Sequence, residues 1–122
     1  MLFRSFLAPD LQDNSLLLFD YKSFEEFDYN GELAAGTIQL SAGDFLTVKG
    51  KLPEVYFGGI FFELEIKGNC DIVLANQKFT IENSENERYK HQVMLYNSSP
   101  SFSITAKDKC EISDVRLRLA EF

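Results

Sequence analysis

The sequence has no tryptophan, one histidine, two cysteines and three prolines among 122 residues. A lone His91 with no Cys or His cluster around it excludes zinc sites of ordinary composition, and it makes a histidine-dependent triad improbable. Two cysteines, Cys70 and Cys110, are too few for a disulfide framework. They read as free, buried, small apolar side chains in the similar settings KGNCDI and KDKCEI, able to bridge if oxidised on neighbouring strands. No window reaches the ~20 apolar residues that cross a bilayer. The opening MLFRSFLAPDL carries one Arg and is interrupted by Asp10 and Asp13, so it does not read as an export signal. The expected location is cytoplasmic, with virion association or non-classical export as the other routes. No glycine-rich phosphate loop exists, because Gly58-Gly59 lacks a following helix and Lys. Positive charge is scarce as well. The net charge of −7 and pI near 4.6 repel phosphate backbones and anionic lipid, which excludes nucleic acid and membrane as partners.

The chain is rich in what builds strands: 12 Phe and 5 Tyr suit pleated, half-buried surfaces. Period-two alternation is clearest at Ile60, Phe62, Leu64 and Ile66 against Phe61, Glu63, Glu65 and Lys67, a strand with a charged outer face. Thr37–Leu40 and Phe45–Val48 are joined by SAGD as a hairpin or arch, KLPEVYFGGI reads as a loop, Gly68-Asn69 turns the chain, Asn76-Gln77 turns it again, and Asn97–Pro100 leads into the closing hairpin. Tyr89 to Tyr96 places His91, Val93 and Leu95 on one side. ENSENER, 82 to 88, reads as a polar connection. Phe102 to Ala106 and Ile112 to Leu119 read as a closing hairpin around AKDK, and the inward row changes parity between Ile112 and Val115, which predicts a bulge at Ser113-Asp114. Ser23 ahead of Phe24-Glu25-Glu26 suits the cap of one helical turn. Residues 1 to 15 have apolar residues at 3, 7 and 11 but a proline at 9, so an N-terminal arm or edge strand is expected. The sum is about nine short strands with turns every eight to twelve residues and no strong helix. One domain over 1–122 is expected, an all-β antiparallel two-sheet sandwich of jelly-roll type.

From Gly59 onward the order of elements resembles the galactose-binding-like jelly roll that underlies many carbohydrate-binding modules. The resemblance rests on IFFELEIKGNCDIVLA, YKHQVMLY, SFSITA and the closing EISDVRLRL, about half the chain. It implies a sugar-recognition module, and a structural calcium near the closing motif with Asp114 as a ligand; no other cofactor is expected. The family displays Trp on its sugar platform, which this chain lacks.

A flat aromatic face against the C–H side of a pyranose, with polar groups on the hydroxyls, is what such a platform needs. Tyr56, Tyr89 and Tyr96, with Arg88, Gln92 and Asn97, are the candidate ligand-binding residues. The plain alternative is that Phe57 belongs to the core and the tyrosine hydroxyls simply reach water. Acid pairs such as Glu63 and Glu65 lie on one strand face, not across a cleft as a glycosidase requires, so no enzyme is expected. Arg116 and Arg118 project outward together and suit cross-strand pairs with Glu or Asp. Two functions remain open: a non-catalytic module that binds carbohydrate through exposed aromatics, or an acidic protein-interaction or assembly protein (virion component, inhibitor or subunit) that binds no small molecule. Homo-oligomerisation is compatible with either.

Overall fold

The computed structural model describes residues 16–122, so the arm read at residues 1 to 15 lies outside the described residues. In order the strands are β1 (Leu16–Tyr21), β2 (Phe27–Tyr29), β3 (Glu32–Ala34), β4 (Thr37–Leu40), β5 (Phe45–Val48), β6 (Val55–Leu74), β7 (Gln77–Ser98) and β8 (Phe102–Glu121), with a 3-10 turn at Phe24–Glu26. Every pairing between them is antiparallel.

Three strands are long because they serve both layers. β8 takes β6 on one side over its whole length, and on the other side β1, β4 and β5 in turn. One layer is β1, residues 112–121 of β8, residues 55–66 of β6 and residues 87–98 of β7. The other is β2, β5, residues 102–106 of β8, residues 70–74 of β6 and residues 77–83 of β7. Phe62 of the first meets Phe102 of the second with ring centroids 5.1 Å apart. The sandwich is therefore one eight-stranded sheet folded over on itself, where two separate sheets were expected.

The fold-over corrects three sequence readings. The closing hairpin is a single bent strand, ENSENER is strand, and Gly68-Asn69 bends the chain without reversing it. Each local sequence resembles a turn because a corner needs slack. Opposite Lys67 alone β7 spends residues 84–86, and opposite Asn69 alone β8 spends 107–109. Extra residues on the outer strand are how a sheet turns a corner. Gly68 sits at that corner with φ of +119°, where a Cβ would collide with the Lys109 carbonyl oxygen.

Other expectations hold. Glu65 pairs with Asp114 but Ile66 with Ile112, leaving Ser113 as the extra residue of a bulge. This is why Ile112 and Val115 both point inward. Ser23 caps its turn in a capping box with Glu26. SAGD is an arch: β4 and β5 both run along β8, and the Gly43 N–H and Asp44 carbonyl continue the pairing through Ala106. The two-residue hairpin turn between β6 and β7 is Ala75-Asn76, both at positive φ, one residue earlier than the expected Asn76-Gln77, and Gln77 already pairs with Leu74. The core is the inward rows of β6 and β8 with Phe27, Leu46, Val93 and Leu95.

Candidate functional site at the open end of the sandwich

Because β6, β7 and β8 fold over at one end, the opposite end is open, and there loops 49–54 and 99–101 cross from layer to layer. A cleft of about 320 Å³ lies between them. Its floor is apolar, from Val48, Leu52, Pro100 and Phe102, and Thr47, Lys51, Ser99 and Ser101 supply polar groups around it. The Thr47 hydroxyl donates to the Phe102 carbonyl at 2.8 Å, and the Ala75 N–H donates to the Ser101 carbonyl at 2.8 Å. The first bond ties the strand ends beside the loops and the second ties loop 99–101, while the Lys49 N–H, donating to the Glu26 carbonyl at 3.2 Å, ties the start of loop 49–54.

Tyr56 and Tyr96, 76% and 66% exposed, sit near the strand ends beside this mouth without lining the cleft itself. Tyr56 is the second residue of β6 after loop 49–54, and its N–H donates to Glu121 Oε2 at 3.2 Å. Tyr96 pairs with Phe57, ring centroids 5.4 Å apart, and Phe57 meets Phe122 edge-on at 5.6 Å. Asn97 falls opposite Tyr56 by the flanking register and takes a positive φ. The outer face of the first layer continues from these rings to Phe61, which carries the Arg118 guanidinium 5.9 Å from its centroid.

Farther along that face the chemistry becomes ionic. The Arg88 guanidinium donates to Glu63 at 3.0 Å, Glu65 at 3.3 Å and Asp114 at 3.1 Å. Arg116 forks onto Asp20 at 3.0 and 2.9 Å, and Arg118 reaches Glu63 at 3.6 Å. These are the cross-strand pairs expected of the two outward arginines. Burial raises the Glu63 pKa, but the Arg88 hydrogen bond and the fields of Lys90, Arg88 and Arg118 outweigh it, so the carboxyl is held below its ordinary value. The hydrogen bond from Arg116 does the same for Asp20.

The structure brings Tyr56, Tyr96 and Asn97 together and separates the other candidates. Gln92 lies lower on the same face, opposite Phe61, with its amide donating to Met94 Sδ at 3.6 Å. Arg88 is eight residues from Tyr96, roughly 26 Å along a strand, and is committed to carboxylates. Tyr89 faces inward, packed on the core with Phe62 and stacked on His91, so it has no place in a surface platform. His91 seals the open side of the sandwich against Phe79, ring centroids 4.2 Å apart, the half-buried role expected of it. Asp114 does not fit the implied calcium: its carboxylate is occupied by Arg88, and among the described residues no group of three or more His, Cys, Asp or Glu could hold a metal ion. Cys70 and Cys110 are free and buried.

Sequence reasoning missed the cleft. KLPEVYFGGI and Asn97–Pro100 were legible as connections, though the first is strand from Val55 onward, and their adjacency follows only from the fold-over.

No family model and no curated protein matches the sequence. Solved structures do. BtGH115A, a family GH115 4-O-methyl-alpha-glucuronidase with specificity for decorated arabinogalactans, matches 83% of this chain at 12% identity and a TM-score of 0.58. The chain spans only 17% of that enzyme. The module BiXyn10A CBM1, in its apo form, matches 88% of this chain and 98% of its own at 9% identity and a TM-score of 0.52. The carbohydrate-binding module CBM6cm-2 from Cellvibrio mixtus lichenase 5A, in complex with cellotriose, matches at 15% identity over 84% of this chain and 97% of its own, with a TM-score of 0.45. The fold is a carbohydrate-binding-module-like β-sandwich. At these identities the likeness extends to the fold, and the site has to be argued from its own residues.

Proposed function

We propose that this protein is a non-catalytic recognition module that takes a saccharide at the open end of its sandwich. The observation that carries the reading is a compact, apolar-floored, hydroxyl-rimmed cleft with two highly exposed tyrosines on the strand ends beside it. Exposed aromatic faces suit the C–H side of a pyranose, and serine hydroxyls with the Asn97 amide suit its hydroxyl groups. Among the described residues neither Ser99 nor Ser101 hydrogen-bonds to a base, the pairing that an activated nucleophile needs. A glycan array with wild type, Tyr56→Ala and Tyr96→Ala tests it. Binding by wild type and its loss in both variants, with unchanged melting, is the expected result; a blank array for wild type overturns the reading.

A second reading has its own observation. β7 pairs with β6 alone among the described residues over Gln77–Ser98, and its last eight residues, His91 to Ser98, carry no full charge. Long uncharged edges invite pairing. Antiparallel pairing of two copies about Val93 sets Lys90 opposite Tyr96 and Gln92 opposite Met94, with no like charges facing. Sedimentation of wild type against Met94→Lys tests it, since a lysine placed on the edge should abolish any dimer, and a monomer at every concentration refutes it.

A further inference from the structure

The charge of the cleft is opposite to that of the protein. The chain carries 19 Asp and Glu against 12 Lys and Arg, yet none of the nine residues lining the cleft is acidic and one of them, Lys51, is cationic. Lys51 is exposed and forms no ion pair among the described residues. Lys49 stands two residues before it in the same loop. Glu54, farther along that loop, does not line the cleft. At about 320 Å³ the space is at the small end of ligand pockets, enough for one ring-sized group and not for a length of chain.

We propose that the cleft takes the carboxylate-bearing ring of an acidic saccharide, with the Lys51 ammonium on the carboxylate, the Ser99 and Ser101 hydroxyls on ring hydroxyls, and Pro100 and Phe102 beneath the C–H face. This rests on the carbohydrate reading and adds the ligand's charge and the residue that selects it. An ammonium is a compact donor that pairs with a carboxylate without requiring a forked geometry, and a charge-assisted hydrogen bond is about twice as strong as a neutral one. A neutral sugar offers Lys51 only hydroxyls. In a chain of net charge −7, a carboxylate finds little favourable field elsewhere, so discrimination depends on this one side chain.

The test is a titration followed by amide chemical shifts, with D-glucuronate, D-glucose and sodium acetate as probes against wild type, Lys51→Ala and Lys51→Arg. Glucuronate should move the amides of Lys51, Leu52, Ser99 and Ser101 and bind about threefold to tenfold tighter than glucose, the range expected of one partly exposed charge pair. Lys51→Ala should erase that preference and Lys51→Arg should keep it. Lys51 is exposed, so both variants should melt as wild type does. Equal binding of the two sugars, or a preference that survives Lys51→Ala, overturns the acidic-sugar inference and leaves the carbohydrate reading standing. Acetate acting as strongly as glucuronate on the same amides makes this a bare anion site and overturns the inference too. No response to either sugar at the mouth overturns the inference and the reading together.

Discussion

Replacing Arg88 with alanine would leave three carboxylates from two strands without the cation they share. The guanidinium of β7 holds Glu63 and Glu65 of β6 and Asp114 of β8 at 3.0, 3.3 and 3.1 Å. Arg88 and Asp114 are well exposed, with side chains 42% and 50% accessible, so water screens much of their attraction. Glu63, at 15%, contributes most. Exposed pairs contribute ~0.2–1 kcal/mol each, and three pairs on one guanidinium are not additive. The expected loss is about 1–2 kcal/mol at neutral pH, or roughly 3–8 °C in melting temperature for a chain of this size. The pH dependence has a definite sign. The folded-state pKa of Glu63 is lowered, so its contribution is present above the unfolded value near 4.5 and is lost as pH falls through the folded one. Thermal melts of wild type, Arg88→Ala and Arg88→Lys at about pH 7 and about pH 4, in low salt and in about 1 M salt, read this directly. The alanine deficit should shrink at acid pH and in salt, and lysine, which lacks the fork, should restore part of it. A deficit indifferent to both pH and salt refutes the ionic account and assigns Arg88's role to its aliphatic stem.

His91 is held below its ordinary pKa of 6.5 by desolvation; the native state keeps it neutral, so stability present above about pH 6.5 declines as pH falls towards the folded pKa. The proton signal of this sole imidazole should titrate below 6.5, and a midpoint at or above that value refutes the claim. Burial pushes the Cys70 thiol up to about 12, with the Cys110 and Asp71 fields adding, and the Cys110 thiol up to about 11. Ellman's reagent should therefore titrate neither in the native protein and both after denaturation; rapid native reaction would show that the corner opens. Gly68→Ala forces a Cβ onto a +119° φ and to within 2.7 Å of Cys110 Cα. It should cost about 1–3 kcal/mol or more in a urea melt, and a melt unchanged from wild type would mean that the corner relaxes freely.

Much of the fold was legible because side-chain period is tied to face. The parity change between Ile112 and Val115 predicted the bulge at Ser113, and Ser23 ahead of two glutamates predicted the cap. The same parity rule places Tyr89 with His91, Val93 and Leu95 on the inward side, so nearness to a polar stretch was a poorer guide to its exposure than alternation. What local sequence could not distinguish was a reversal from a corner. KGNC and AKDK contain turn residues in either case, and only the partner strand decides: β6 and β8 stay paired through both, which makes them bends. Because the corner was read as two hairpins, the opposite end of the molecule had no defined geometry, and the neighbourhood of Lys51, Ser99 and Pro100 could not be seen.

That topology also separates what holds the sandwich from what it presents. At the corner, Gly68 is packed against the backbone of Lys109 and Cys110, Cys70 and Cys110 are buried in the core, and on the outer face the arginines are paired with carboxylates, so changes in either region should cost stability. At the mouth, Lys51, Ser99, Ser101, Tyr56, Tyr96 and Asn97 are exposed, while the Thr47 hydroxyl and the Ala75 amide anchor the strand ends beside them. Exposed side chains on anchored loops can be exchanged at little cost, usually within ~0.5 kcal/mol, while their positions stay fixed. That freedom to vary is what the proposed recognition site at the mouth requires. A change of loop residues there should alter what is bound without altering the melt, whereas a change at the corner should alter the melt first.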